Sequence, residues 1–227
     1  MEDTATAGQK ILDNVATQWD REIPRGGFGA VIAHAGVGKT ALLVQLALTE
    51  IVNGRHVLHI SMDDPLKKVD LWYREVFQHL VGQELSQATA RWGKVLLHRF
   101  IMIFQADRFT VPRLEERLAE LIEQKIFSPE LIIVDGLHFE KSTRDMLLEL
   151  QSLAKRHSLK IWFTVHAHRH EEPMPDGMPP GFGSLVDLFS LVWQIKQEGA
   201  TISLNSLVGA SPTGKLFLDP VTMLLRD

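Results

Sequence analysis

Residues 28–52 run from an unbroken apolar strand segment, through a glycine-rich turn, into a helix that is apolar almost all round. No other stretch restricts the fold so tightly. The strand segment is Phe28-Gly29-Ala30-Val31-Ile32-Ala33, and the helix opens with Thr40-Ala41-Leu42-Leu43-Val44. A strand without polar alternation is covered on both faces, and a helix without a polar face is buried on several sides. The turn between them, Gly36-Val37-Gly38-Lys39-Thr40, suits an anion. Glycines let successive backbone N–H groups converge, and the positive end of the helix faces the same point. Lys39 is then placed to reach outer phosphates, and the Thr40 hydroxyl to coordinate Mg²⁺. The candidate phosphate contacts are Ala35, Gly36, Val37, Gly38, Lys39, Thr40 and Ala41. The strict pattern has glycine where this chain has Ala33. The competing reading is a chance glycine turn ahead of a helix.

The same alternation continues along the chain. Strands are expected at residues 57–61, 100–104, 131–134 and 159–165. Helices are expected at 65–81, with Pro65 in the first turn, at 112–125 and at 142–157. Gly54 should cap the helix after the phosphate loop. Residues 83–96 carry no clear period. Apolar strands alternating with helices predict a mainly parallel α/β sheet with helices on both faces. Residues 168–184 hold four of the ten prolines and three glycines, which reads as a long mobile loop. Strand segments at 188–195, 201–207 and 216–218 then predict an antiparallel C-terminal extension, with a turn at Glu198-Gly199. Ahead of the sheet, Ile11, Leu12, Val15 and Trp19 recur at helical spacing until Pro24 and Gly26. The expected organisation is an N-terminal helix and linker over 1–24 and one domain over 25–227.

Bulk composition narrows the function classes. Cysteine is absent, which removes disulfides and cysteine metal sites and suits a reducing cytoplasm. The acidic start Met1-Glu2-Asp3 does not read as a signal peptide, and no apolar run approaches a membrane span of ~20 residues. The net charge of −4 argues against a dedicated duplex-DNA binder. Five tryptophans suggest either a packing surface or core positions.

Acidic residues stand where a phosphate loop needs them. Asp135 ends the apolar strand 131–134, at the sheet edge where ligands bind in open α/β folds, and is a candidate Mg²⁺ ligand. The alternative is a turn-starting Asp before Gly136. Asp63 and Asp64 follow strand 57–61; Asp64 suits a helix N-cap, which leaves Asp63 to direct a water or act as base. His166 at the end of strand 159–165 is placed to contact a γ-phosphate. His166, His168 and His170 also share the alternate spacing of a metal site, with Glu171 and Glu172 close in sequence.

These segments resemble the RecA superfamily. The stretch from Ile23-Pro24-Arg25-Gly26-Gly27 through the phosphate loop to Ser61-Met62-Asp63-Asp64 resembles the opening of RecA-, KaiC- and DnaB-type ATPase domains. DnaB-type helicases commonly carry Ala at the Ala33 position. Ser61–Pro65 resembles a motif of RepA-type helicases that usually has Glu at the Asp63 position. Leu131–Gly136 resembles the Walker B strand, and Val165–Arg169 the phosphate-sensing motif. The resemblance implies a RecA-like P-loop fold, ATP and Mg²⁺ as ligands, and catalytic roles for Lys39, Asp63 and His166. It also implies a homo-oligomeric ring or filament, with single-stranded DNA or a protein as further partners. One departure stands out. The family's Lys-x-Arg pair, which reaches a neighbour's γ-phosphate, is missing from Leu204-Asn205-Ser206-Leu207-Val208-Gly209-Ala210. Lys215 and Arg169 are the candidate substitutes. The acidic residues Glu171, Glu172 and Asp176 disfavour DNA phosphates. The alternative expectation is therefore an ATP-binding regulatory or assembly module with little hydrolysis and no nucleic acid.

Overall fold

The computed structural model describes residue 15 and residues 17–81, 85–140, 143–167, 177–211 and 214–227. Among the described residues the centre is a nine-stranded sheet in the order β3-β2-β4-β5-β1-β6-β7-β8-β9. The parallel strands are β1 (Phe28–Ala33), β2 (Val57–Ser61), β3 (Arg99–Ile103), β4 (Leu131–Asp135), β5 (Lys160–His166) and β6 (Leu191–Glu198). The helices α1 (Lys39–Val52), α2 (Leu66–Val81), α3 (Leu85–His98), α4 (Val111–Glu123) and α5 (Thr143–Arg156) separate them. One apolar core packs α1 and α2 on one face of the sheet, and a second packs α4 and α5 on the other. This double cover is why β1, β2 and most of β4 are buried without alternation, and why β1 and most of β4 are apolar throughout. This is the mixed α/β architecture expected from the alternation of apolar strands and helices, a mainly parallel sheet with helices on both faces. Among the described residues no helix is long and apolar enough to cross a membrane.

Local expectations hold at α1. Residues 41–51 of this helix are buried, and Gly54, at φ 83°, follows it in the left-handed conformation that closes a helix. Residues 83–96, which lack a readable period, fall mostly within α3, which runs straight into β3 with no loop between them.

Three expectations need correction at the C-terminal half. The strand placed at 188–195 is β6, three residues later, because Val186–Leu188 forms a 3₁₀ turn and Phe189 packs into an aromatic cluster with Phe28, Phe163 and Phe182. Strand β6 pairs in parallel with β1, so the antiparallel extension begins only at β7 (Thr201–Val208) and continues through β8 (Leu216–Leu218) and β9 (Leu225–Arg226). The loop placed at 168–184 is packed over its described part. Met178 and Phe182 are buried, and a one-turn helix, Pro180–Gly183, seats Phe182 against Phe139. Apolar anchors there outweigh the proline and glycine composition.

Residues 17–22 are helical, and Trp19 and Ile23 are fully buried; Ile11 and Leu12 lie outside the described residues. Trp19 meets Trp162 edge-on at 5.9 Å, and Trp162 meets Trp193 at 5.0 Å. Three of the five tryptophans are therefore core residues, while Trp72 and Trp92 are partly buried.

Beside this tryptophan row, Glu50 on α1 has a side chain only 2% exposed. Burial pushes its pKa from 4.5 up to about 7, and Arg55, 3.0 Å away, offsets only part of the shift. The folded value exceeds the unfolded one, so the fold binds the extra proton between these values and loses stability as pH rises through them. Glu50→Gln is expected to match the parent near pH 4.5 and to exceed it by about 1–2 kcal/mol at pH 8. Denaturant unfolding at both pH values checks this; a gap that ignores pH refutes the assignment.

Candidate functional site

The site forms at the C-terminal ends of the parallel strands, where open α/β sheets bind ligands. Register aligns its parts. Ala33 pairs with His166, Val31 with Thr164, and Ser61 with Asp135. Strand β5 lies between the loop strand β1 and the acidic strand β4, so Thr164 stands between Lys39's loop and Asp135.

Past Ala33 the chain turns over residues 34–38 into α1. Gly38 sits at φ 102°, ψ 15° and caps the helix without any side-chain hydrogen bond. A side chain here would be strained, and the first-turn N–H groups are left for an anion. The side chains of Val37 and Ala41 are buried in the core, which leaves their backbone N–H groups as the means of contact. Lys39 Nζ donates to the carbonyls of Ala33 at 2.9 Å and His34 at 3.0 Å. Burial lowers its pKa to about 8, against the opposing pull of the Asp135 charge.

Asp135 holds the centre. Its Oδ2 accepts the Thr40 hydroxyl at 2.8 Å, and its Oδ1 accepts the Thr164 hydroxyl at 2.7 Å. The Gly136 N–H donates to Thr164 Oγ1 at 3.0 Å, tying the strand end to β5. A cavity of about 800 Å³ joins Ala35, Gly36, Lys39 and Thr40 to Asp63, Asp135 and His166. The structure thus brings together residues picked from four separate segments. Asp63 is exposed and lies against Gly136; a Cβ at Gly136 would sit 2.6 Å from Asp63 Oδ2, and φ there is 89°. The positive φ favours glycine here, and a Cβ would push that carboxylate aside.

Asp64 and Pro65 depart from expectation. The Pro65 carbonyl accepts from Lys68 and Val69, so Pro65 is the cap and precedes the first turn. The Asp64 carboxylate instead takes Lys68 Nζ at 2.8 Å, one turn along. The Asp64 N–H goes to Ser61 Oγ at 3.1 Å.

His168, His170, Glu171, Glu172, Asp176 and Arg169 lie outside the described residues, so the histidine spacing is not carried further. Among the described residues no three His, Asp or Glu side chains are grouped to hold a metal ion by themselves. Lys215 is exposed just before β8 and does not line the cavity. Lys39 is the one Lys or Arg among the described lining residues.

Two neighbours of Asp135, one bonded and one not, escape sequence reasoning. Thr164 is a lone hydroxyl in an apolar strand, and that oddity was the available signal. His59 carries the same signal, an imidazole between Leu58 and Ile60. It is wholly buried on β2, with Nε2 3.9 Å from Asp135 Oδ2 and Nδ1 3.2 Å from the Tyr73 hydroxyl. Burial pushes its pKa down to about 4, so the ring is neutral at pH 7.

A sequence model described as an AAA domain matches residues 23–171. No curated protein matches the sequence. The matched residues contain the phosphate loop, Asp63, Asp135 and His166 and exceed half of the chain. On that match the chain belongs to the AAA domain family, a family of P-loop NTPases.

Proposed function

We propose that the protein is a Mg²⁺-dependent ATPase of the RecA-like kind. The observation that carries this reading is the Thr40–Asp135 hydrogen bond, 2.8 Å between a phosphate-loop hydroxyl and an acid two strands away. Hydroxyl and carboxylate oxygens are the hard donors Mg²⁺ prefers, and few protein ligands suffice when phosphates supply the rest. Thr40 and Asp135 would hold the ion, which supplies charge neutralisation at the β- and γ-phosphates. Lys39 leaves the Ala33 and His34 carbonyls and meets the outer phosphates, while the first-turn N–H groups of α1 take the others. Asp63 orients the attacking water, and His166 senses the γ-phosphate. The antiparallel strands β7–β9 beyond a parallel core support the RecA-like over a generic P-loop reading.

The acidic lining supports assembly. Asp63, Asp64, Asp135 and Glu140 face a single lysine among the described lining residues. A basic group from a second copy, in a ring or filament, would supply the missing transition-state charge. The same imbalance favours the second reading, an ATP-binding regulatory or assembly module with little turnover.

Single-turnover ATP hydrolysis, with and without single-stranded DNA, separates the two. Measurable hydrolysis is expected, and Asp63→Asn should slow it by roughly 10²-fold. A variant as fast as the parent removes Asp63 from the chemistry. Tight binding with no turnover under either condition selects the module.

A further inference from the structure

Behind Asp135 lies a buried layer that the steps above leave unused. His59 Nε2 has no hydrogen-bond partner among the described residues, although the ring is fully buried. Such an orphan is costly unless a partner lies within reach. The near acceptor is Asp135 Oδ2 at 3.9 Å, the same oxygen that takes the Thr40 hydroxyl. On the other edge of the ring, the Tyr73 hydroxyl stands 3.2 Å from Nδ1. Tyr73 is itself fixed. It is fully buried on α2, and the Arg99 guanidinium lies 4.5 Å from its ring centroid. Arg99 in turn pairs with Asp70 at 2.6 Å.

Where the Tyr73 hydroxyl donates to Nδ1, the ring N–H stands on Nε2 and faces the carboxylate. We propose that His59, oriented by Tyr73, is a positioning residue that holds the Asp135 carboxylate for the Mg²⁺–nucleotide complex. The inference rests on the reading of Thr40 and Asp135 as the Mg²⁺ residues. Their shared hydrogen bond uses the Thr40 oxygen that the ion also needs. A second, fixed donor to Oδ2 keeps the carboxylate in place when Thr40 is drawn to the metal. Closing 3.9 Å to hydrogen-bond length takes a shift of about 1 Å. Outer-shell donors of this kind tune metal sites.

The test is nucleotide affinity with Mg²⁺ divided by affinity in EDTA, read with fluorescent ATP and ADP analogues. His59→Leu should lower that ratio about 10-fold, His59→Gln should restore most of it by keeping a donor near Nε2, and Tyr73→Phe should fall between. Equal losses in the Leu and Gln variants mean packing alone and overturn the proposal, as does a His59→Leu ratio equal to the parent's. A parent ratio near one removes the Mg²⁺ reading itself, and this inference with it. Imidazole ¹⁵N spectra of the unmodified protein decide the matter even if variants fail to fold. The proton is expected on Nε2, shifting when Mg²⁺ and ADP are added together but not with ADP in EDTA. A proton on Nδ1, or an unmoved Nε2–H signal, overturns it.

Discussion

Lys39→Ala is expected to weaken nucleotide binding by about 10²-fold or more, with turnover lost alongside. The size follows from the charge around the loop. Lys39 is the one Lys or Arg among the described lining residues, against Asp63, Asp64, Asp135 and Glu140. Without it, a polyphosphate meets those carboxylates with no protein cation among the described lining residues in its favour. The burial that lowers its pKa to about 8 makes binding pH-dependent. Phosphate needs the charged amine, so affinity should fall as pH rises through about 8. For the free fold the sign is opposite. A buried ammonium whose pKa lies below its unfolded value costs stability below pH 8, and that cost vanishes above the unfolded value. The alanine variant should therefore melt at or above the parent. Fluorescent-nucleotide titration and thermal melts check both halves. Unchanged nucleotide affinity would falsify the central assignment.

Asp135→Asn should cut Mg²⁺-dependent turnover by on the order of 10²–10³-fold. The carboxylate accepts two hydroxyls, from Thr40 on one oxygen and Thr164 on the other. An amide offers one acceptor and one donor edge, so one of those hydroxyls must give up donating and rotate to accept. The charge is lost as well. Asp135 is the group that holds the Lys39 pKa up against burial. Its removal lets that pKa fall further, and the affinity profile should move to lower pH. Single-turnover rates and binding across pH 6–9 measure these effects. A profile that stays in place separates Lys39 from Asp135 and breaks the electrostatic account.

Much of this site is legible in the chain because its parts are local. A buried strand, a glycine turn and a buried helix make the phosphate loop from consecutive residues. Asp63, Asp135 and His166 each sit at the end of a readable apolar strand, and parallel strands bring such ends to one edge. Boundaries fared worse where apolar residues run without punctuation. Leu188 and Phe189 look like strand because periodicity cannot tell an aromatic cluster from a buried β-segment. Pro179, Pro180 and Gly181 look like loose loop, yet Phe182 anchors them. Asp64 was a plausible cap, but Pro65 takes that place and Lys68 claims the carboxylate.

The amino-acid order alone determined that a glycine turn suited to an anion joins β1 to α1, and that acids wait at neighbouring strand ends. It could do so because backbone conformation at Gly36 and Gly38, and burial of β1 and α1, depend on residues adjacent in the chain. Only the tertiary structure decided what surrounds Asp135. Thr164, His59, Tyr73 and Arg99 come from four different elements, and β4 and β5 must pair before Thr164 can reach the carboxylate. A hydroxyl or imidazole inside an apolar strand carries no periodic signal; its role exists only once strand order sets which neighbour it faces.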